Sequence, residues 1–447
     1  MNRRTFINSA LATSATAAGI GGMTTHPGEA ATTAPPGAVK GAIAGKTLAE
    51  LREDYRYWLF TDFLPFMGRY VIDHELGGFM CTVDRDGTQL SSDKYSWFQG
   101  RGAWAYAFLY NKLDRNPQYL DVARKAVGFL EKVKRSGEGF MPSYFLKDGT
   151  PAPNSRPDMD GDIYMALAFQ EYGKIPGNER YWDRAKEIFL SIMEWYDNPD
   201  FTCGYSYTVP EGKPPEIRGP RVIGYWMEFI NIATQMLEFR KDPQIEAVSD
   251  RALDAIMNSH YNPDFGLINE VINHDLSRNK DLEMSVYTGH AIETLWMVMY
   301  EAVRRKDMAL FRAAAERFRR HVEVAWDDVY GGAFRALYRV DENVWALDKV
   351  TWLQEEILIG TMCMMAYTGS PWAQEWFGKT YSYAMEKLAL KRYGFPLWDT
   401  SGNRKATFVR HSSRCENYHH PRHLMLTLRL LDALVKRNGK VLNMADG

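Results

Sequence analysis

The chain has 447 residues, of which 45% are hydrophobic and 25% are charged, and its formal net charge is −2 at pH 7. These proportions are those of a globular protein with a large core, and they exclude a disordered tail, a collagen and a coiled coil. The near balance of charge gives no electrostatic argument for a nucleic-acid partner.

Residues 1–30 resemble an export signal. The pair Arg3-Arg4 precedes Phe6-Ile7 and a weakly apolar, Ala-rich stretch. This pattern resembles a twin-arginine signal, although a chance Arg-Arg pair in a flexible terminus is the alternative. Residues 31–46 are rich in Ala, Thr, Pro and Gly and predict a flexible linker. No long apolar run follows, so we expect an exported, periplasmic protein without a membrane anchor.

An internal repeat of about 63 residues organises the rest of the chain. A glycine followed by an aromatic or apolar residue recurs six times, and each opens a polar stretch that is typical of hairpins or long loops. Pairs of helical patterns lie between these stretches, with apolar residues spaced by three and four, as in Tyr119–Val133 and Leu310–Val322. The twelve predicted helices begin near residues 48, 94, 117, 157, 178, 220, 243, 283, 306, 347, 370 and 417.

Six helix pairs in series predict an all-α fold, an (α/α)6 barrel over residues 47–440. One helix of each pair lies inside the ring and the other outside. An open solenoid of helical repeats is the competing arrangement. The glycine-led loops and hairpins are expected at one end of the barrel, around the mouth of a central cavity.

The repeat also predicts where a site lies. Steps of about 63 residues from Arg101 reach one position on each inner helix. These positions hold Arg101, Tyr164, Met227 beside Glu228, His290, Gln354 between Trp352 and Glu356, and His419. A structural core would repeat Leu or Ala there, whereas different functional side chains around one axis indicate a binding pocket.

Four motifs, in order and in register with the repeat, resemble those of the N-acylglucosamine 2-epimerase family. They are Trp97-Phe98-Gln99-Gly100-Arg101-Gly102-Ala103-Trp104 for WxQxRxxW, Gly289-His290-Ala291-Ile292-Glu293 for GHAIE, Lys349 with Trp352-Leu353-Gln354-Glu355-Glu356 for KxWWxxxE, and Tyr418-His419-His420-Pro421-Arg422 for FHVPR. The resemblance spans residues from about 50 to 437. It implies an (α/α)6 barrel that interconverts sugars at C2 without a metal or redox cofactor, and it is compatible with a homodimer.

The histidines suit this chemistry. Moving a proton at C2 of an open-chain sugar needs a base and an acid with pKa values near neutrality, and histidine titrates there unaided. We therefore predict His290 and His419 as the catalytic pair, facing each other across the cavity. Glu293, one helical turn after His290, is expected to orient that imidazole, and Arg101 to stabilise the enediolate oxygen. The predicted substrate-binding residues are Tyr164, Asp162, Glu228, Trp352, Gln354, Glu356 and Trp97.

Two features of the last motif leave alternatives open. His420 and His423 lie beside His419, and either of them is a possible active histidine; the motif favours His419. The spacing of His419 and His423 also suits a metal, but the sequence shows no third ligand, so we predict no metal site.

Departures from the family pattern restrict which sugar the chain is expected to bind. The cellobiose epimerase branch has a further histidine on the third inner helix, where this chain has Glu228, so the acylglucosamine branch is favoured. The chain has Tyr287-Thr288 where that branch usually has Asn-Pro, and His420 in place of Val. These positions bear on the identity of the sugar more than on the chemistry.

The sequence therefore favours a cofactor-independent sugar 2-epimerase that acts on an aldose or an N-acyl-hexosamine of the N-acylglucosamine and N-acylmannosamine type. An aldose–ketose isomerase would use the same enediolate but return the proton to C1. A glycoside hydrolase would need two carboxylates about 5–10 Å apart, with Asp162, Glu228, Glu293 and Glu356 as candidates. A non-catalytic carbohydrate- or protein-binding module is the third class. Replacement of His290 would abolish an epimerase but spare a hydrolase.

Overall fold

The computed structural model describes residues 37–134, 139–390, 392–394, 399–400, 402 and 414–444. The predicted signal peptide over residues 1–30 lies outside these residues. Within them, no helix is both long enough and apolar enough to cross a membrane.

Twelve helices of nine residues or more occupy about half of the described chain, and each begins within five residues of its predicted start. They are α1 (Leu48–Arg56), α2 (Ser96–Lys112), α3 (Pro117–Val133), α4 (Met159–Tyr172), α5 (Arg180–Asp197), α6 (Ile223–Phe239), α7 (Pro243–Asp254), α8 (Thr288–Arg305), α9 (Met308–Ala325), α10 (Thr351–Thr368), α11 (Pro371–Tyr383) and α12 (His419–Lys436). Helix α1 continues through the π-helical segment Tyr57–Phe63, the turn Leu64–Phe66 and a second π-helical segment, Met67–Val71.

Local sequence signals explain where several outer helices begin. The Asn116 side chain accepts a hydrogen bond from the backbone N–H of Gln118 at the start of α3, and Pro117 occupies the first turn. Asp242 and Ser370 cap α7 and α11 in the same way, each followed by proline. A side-chain acceptor before a proline satisfies the free N–H groups of the first turn and presets its backbone.

The inner helices form a closed ring. Helices α2, α4, α6, α8, α10 and α12 each pack against the next in this order, and α12 returns to α2. Each inner helix is buried on nearly all sides, as a helix between a core and an outer layer must be. The close approach of α2 and α4 depends on Gly100, because a Cβ there would lie 2.4 Å from the carbonyl carbon of Tyr164. The ring confirms the (α/α)6 barrel and excludes the open solenoid.

Short antiparallel hairpins and ladders gather at the end of the barrel where the inner helices begin. The strands are β1 (Thr82–Val83), β2 (Gln89–Ser91), β3 (Lys94–Tyr95), β4 (Tyr144–Phe145), β5 (Arg221–Val222), β6 (Tyr261–Asn262), β7 (Leu267–Ile268), β8 (Val271–Ile272), β9 (Ala336–Arg339), β10 (Val344–Ala346), β11 (Lys349–Val350) and β12 (Asp399–Thr400). They form six two-stranded sheets, β1–β2, β3–β4, β5–β8, β6–β7, β9–β10 and β11–β12. Because β3, β5 and β11 run directly into inner helices, these sheets fix the ends of the helices at the cavity mouth.

The first and fifth repeats each contain a buried lysine–aspartate ion pair beneath this mouth. We call each of these pairs, with the turn that it holds, a lock. The Lys94 ammonium lies 2.8 Å from the Asp73 carboxylate and 2.7 Å from the carbonyl oxygen of Gly77. Lys349 makes the corresponding contacts with Asp327 at 2.5 Å and with the Gly331 carbonyl at 2.6 Å. Each lock holds a glycine-rich turn against the strand that leads into an inner helix.

The predicted flexible linker over residues 31–46 needs correction for its described part, residues 37–46. Val39 and Ile43 are buried in the core, and the Val39 N–H donates to the carbonyl of Gly439. Apolar burial and this bridge to the end of the chain place these residues within the packed unit, so the folded domain begins before residue 47.

Candidate active site

A cavity of about 760 Å³ opens among the first turns of the six inner helices. Eight of the eleven predicted site residues line it, namely Trp97, Arg101, Tyr164, Glu228, His290, Glu293, Trp352 and His419. The hairpin loops complete the wall, since Tyr207 and Arg335 also line the cavity. The repeat thus brings side chains that are far apart in the sequence to one end of the barrel axis.

His290 projects from the first turn of α8 and is oriented by Glu270. Its Nδ1 donates to Oε1 of Glu270 at 2.8 Å, and the Tyr207 hydroxyl donates to the same oxygen at 2.8 Å. Burial opposes the charged imidazolium, but the Glu270 carboxylate, together with those of Glu293 and Glu228, outweighs this effect and raises the pKa of His290. The bond at Nδ1 leaves Nε2 as the ring nitrogen available to a ligand.

The expectation that Glu293 orients His290 is therefore wrong. Glu293 is buried on α8, where its carboxylate accepts a hydrogen bond from Arg422 and lies 3.9 Å from Nδ1 of His419. The helical spacing correctly placed Glu293 at the cavity, but its partners there are Arg422 and His419. The residue that fills the expected role, Glu270, comes from the short loop between β7 and β8.

His419 begins α12 and sits in a different electrostatic setting. Its Nδ1 lies 2.8 Å from Oε1 of Glu356, and Arg422 donates to the same oxygen at 2.7 Å. Burial lowers the pKa of His419 to about 3, and the cationic Arg422 and Arg101 add to the effect of burial against the carboxylate of Glu293. His419 is therefore the neutral histidine of the pair, while the setting of His290 favours the imidazolium.

Arg101 stands on the first turns of α2 within an aromatic cage. Its guanidinium donates to the Tyr164 hydroxyl and lies over the rings of Trp97, Tyr164 and Tyr418 at 4.7, 4.2 and 4.7 Å. The Tyr164 hydroxyl in turn donates to Glu228 at 2.8 Å. Nε of Arg101 is buried and has no hydrogen-bond partner within the described residues, and the residue as a whole lines the cavity.

Trp352 links the two histidines. The centroid of its ring system lies 6.0 Å from that of His290 and 5.2 Å from that of His419. The indole fits against α8 because residue 289 is glycine: a Cβ there would lie 2.4 Å from a ring carbon of Trp352. A flat aromatic ring close to two imidazoles is a surface on which the carbon skeleton of a sugar can pack.

Three predicted site residues do not line the cavity. Asp162 is a buried residue of α4 that accepts a hydrogen bond from the Met141 N–H at 2.7 Å and pairs with Lys134. Gln354 holds the backbone of Ala333 through bonds of 2.9 and 3.0 Å. Glu356 lies behind His419 and also accepts from the indole of Trp296 at 2.6 Å. Glu356 thus supports a cavity residue, whereas Asp162 and Gln354 have structural partners.

The contacts of Gln354 also correct the repeat register. Gln99 holds the backbone of Phe79 in the same way, through bonds of 2.7 and 3.0 Å. Gln354 therefore corresponds to Gln99, and the position in repeat five that matches Arg101 is Glu356. The first and third motifs share the order Trp-x-Gln, and this shared order could have given the correct register.

Asp160 is a cavity residue that the sequence reasoning missed. It lies in the first turn of α4, and burial raises its pKa to about 7, with the nearby Asp158 carboxylate adding to the shift. Asp162 stands 63 residues after Gln99 and, like Gln99, accepts a hydrogen bond from the backbone of a preceding loop. Asp160 stands 63 residues after Trp97, which lines the cavity, so the repeat register places Asp160 and not Asp162 at the site.

Sequence comparisons find relatives that match most of the chain. The chain matches the sequence family described as N-acylglucosamine 2-epimerase (GlcNAc 2-epimerase) over residues 77–421. It is 24% identical over 383 residues to the N-acylglucosamine 2-epimerase of Bos taurus, covering 82% of this chain and 87% of that protein. The identity to the Mus musculus enzyme of the same name is 24% over 402 residues, covering 84% and 90%.

Solved structures share the fold. A cellobiose 2-epimerase from Bacillus thermoamylovorans superposes with a TM-score of 0.73 at 16% identity, covering 85% of this chain and 99% of that one. A D-mannose isomerase superposes with a TM-score of 0.67 at 15% identity, covering 87% and 97%. At this level of identity the likeness supports the barrel architecture.

Proposed function

Because the chain belongs to the N-acylglucosamine 2-epimerase family and is an isomerase that acts on sugars, we propose that it moves the C2 proton of an open-chain aldose or N-acyl-hexosamine with His290 and His419. The observation that carries the proposal is that both imidazoles line one cavity, with ring centroids 6.0 and 5.2 Å from that of Trp352. Two histidines on opposite sides of a carbon can remove a proton from one face and deliver one to the other, which inverts C2.

The surroundings of each histidine assign the roles. Arg101 and Arg422 disfavour a positive charge on His419, so His419 acts as the base that accepts the C2 proton. Glu270 favours a positive charge on His290, so His290 acts as the acid that returns a proton to the other face. The forward reaction leaves His419 protonated and His290 neutral, and the reverse reaction starts from this state, as microscopic reversibility requires. Before another forward turnover, His419 loses its proton to solvent and His290 regains one.

The cavity also suits the charge that develops on the enediolate oxygen. The cationic Arg101 lines the cavity, and the N-terminal turns of all six inner helices border it. Helix N-termini carry partial positive charge, and fixed donors in a water-poor site stabilise an oxyanion more than water does. Trp352, Trp97 and Tyr164 supply the flat surfaces that orient the sugar.

N-acylglucosamine and N-acylmannosamine are the substrates that we favour, because the two curated relatives above are N-acylglucosamine 2-epimerases. The test is a panel of free sugars: N-acetylglucosamine, N-acetylmannosamine, glucose and mannose. Each is incubated with the purified chain, and the products are separated. We expect the C2 epimer of an N-acyl-hexosamine, and His290→Gln and His419→Gln should each lower kcat by about 10²–10⁴-fold.

The exposed His74 provides the matched control, since His74→Gln changes a histidine outside the cavity and should leave kcat unchanged. Formation of a ketose instead of the epimer would make the chain an aldose–ketose isomerase with the same proton chemistry. Full activity in both cavity variants, or cleavage of an oligosaccharide that survives His290→Gln, would contradict the two-histidine mechanism.

A further inference from the structure

A second cluster of ionisable side chains lies behind the wall of the sugar cavity, between α10 and α12. It consists of Glu355, His420 and His423. Oε1 of Glu355 lies 2.5 Å from Nδ1 of His420 and 3.8 Å from Nδ1 of His423. The side chains are 2%, 2% and 3% exposed, and none of the three lines the sugar cavity. The sugar chemistry described above uses none of these residues.

We propose that the Glu355–His420–His423 cluster binds a divalent transition metal of the zinc type. One carboxylate oxygen and two imidazole nitrogens lie within 4.8 Å of one another, all on buried residues. Histidine nitrogen and carboxylate oxygen are ligands that zinc takes in proteins, and a single ion can contact three such atoms at about 2.0–2.2 Å after a small adjustment. Glu355 is the third ligand that the sequence did not reveal.

The strongest sign of a missing ligand is His423. Its imidazole is almost fully buried, yet its Nδ1 has no hydrogen-bond partner within the described residues. Its other nitrogen, Nε2, lies 2.7 Å from the Tyr55 hydroxyl. With the proton on Nε2 donated to Tyr55, Nδ1 keeps a lone pair directed towards the cluster. A ligating histidine commonly has its second nitrogen bonded to an outer group in this way.

The balance of charge also favours a cation. The neighbouring active-site cluster of Glu293, Glu356 and His419 has comparable dimensions, but there the Arg422 guanidinium bridges the two carboxylates. Within the described part of the chain, the ion pairs of Glu355 are those with His420 and His423 alone. A buried carboxylate needs a positive partner, and a divalent ion at this point would supply it.

The cluster occupies a position where an ion would tie two inner helices together. Glu355 precedes Glu356 on α10, and His420 follows His419 on α12. An ion held by residues of both helices would fix the distance between Glu356 and His419 from behind without contacting the sugar. Since the site is buried, the ion would enter as the chain folds.

The test measures metal directly. The chain is produced in zinc-supplemented culture and dialysed, and its zinc content is determined by mass spectrometry. We expect about one zinc per chain in the wild type and in the exposed-histidine control His74→Gln, and loss of that zinc in Glu355→Gln and His423→Gln. Circular dichroism establishes that each variant is folded.

A second measurement uses the wild type alone, so that it stands even if a variant does not fold. X-ray absorption at the zinc edge should show scattering from two imidazole rings. Wild-type protein isolated without zinc, zinc content unchanged in both variants, or a zinc edge without imidazole scattering would each overturn the proposal. In those cases the three side chains form a hydrogen-bonded core cluster only.

Discussion

Neighbouring residues shift the pKa values of two chemically identical side chains, His290 and His419, in opposite directions. Glu270 holds Nδ1 of His290, and the carboxylates of Glu293 and Glu228 also act to raise the pKa of His290. Arg422 and Arg101 act in the opposite direction on His419. In this account the asymmetry sets which histidine is protonated when the sugar binds.

Replacement of Glu270 by glutamine should therefore change the pH dependence of the reaction. The Glu270 carboxylate raises the pKa of His290, so its removal lowers that pKa. If protonated His290 is the acid, activity falls as pH rises through its pKa, and Glu270→Gln moves this alkaline limb to lower pH. The measurement is kcat as a function of pH, with the exposed Glu316→Gln as the control. An alkaline limb that stays in place in Glu270→Gln would contradict the role of this pair.

Residue-level prediction succeeded where a side chain lies on an inner helix in register with the repeat. Arg101, Tyr164, His290 and His419 follow from the periodicity, because equivalent turns of equivalent helices meet the same axis. Glu270 could not be predicted from the sequence because it lies in a loop between two short strands, where no helical period fixes the direction of a side chain. Its contact with His290 depends on how that loop folds back over α8.

At the scale of elements, each inner helix is held at the mouth by the loop before it. The locks of Lys94 with Asp73 and of Lys349 with Asp327 repeat this arrangement in the first and fifth units. The sequence predicted the helices and their starts well, since the outer helices carry caps and prolines and the spacing is regular. It did not predict the locks, because a buried lysine is indistinguishable in sequence from a solvated one.

Breaking one lock tests how much it stabilises the fold. Lys94→Met leaves the buried Asp73 carboxylate without its cation, and we expect the free energy of unfolding to fall by about 3–5 kcal/mol. Lys125→Met removes an exposed pair with Asp121 and should cost at most about 1 kcal/mol. Denaturant titration of the two variants in parallel measures both changes. Equal stability of Lys94→Met and Lys125→Met would show that the lock is not a stabilising element.

At the scale of the whole molecule, the closed ring converts a repeat in sequence into one cavity. The N-terminal segment and the end of the chain meet where Val39 bonds to Gly439, next to the contact of α1 with α12. The period of about 63 residues predicted six helix pairs but left an open solenoid as the alternative, and the family resemblance favoured the closed ring. The export signal over residues 1–30 and the homodimer stay predictions.

Proton exchange at C2 through His290 and His419 can be followed directly with deuterium. The wild type, His290→Gln, His419→Gln and His74→Gln are each incubated in D2O with the sugar that the panel identifies, and the C2 proton is followed by NMR. The two-histidine mechanism predicts that deuterium replaces the C2 proton as product forms with the wild type and His74→Gln, and that both cavity variants lose product formation. Product that forms while the original C2 proton is retained, or product formation that persists in both cavity variants, would contradict it.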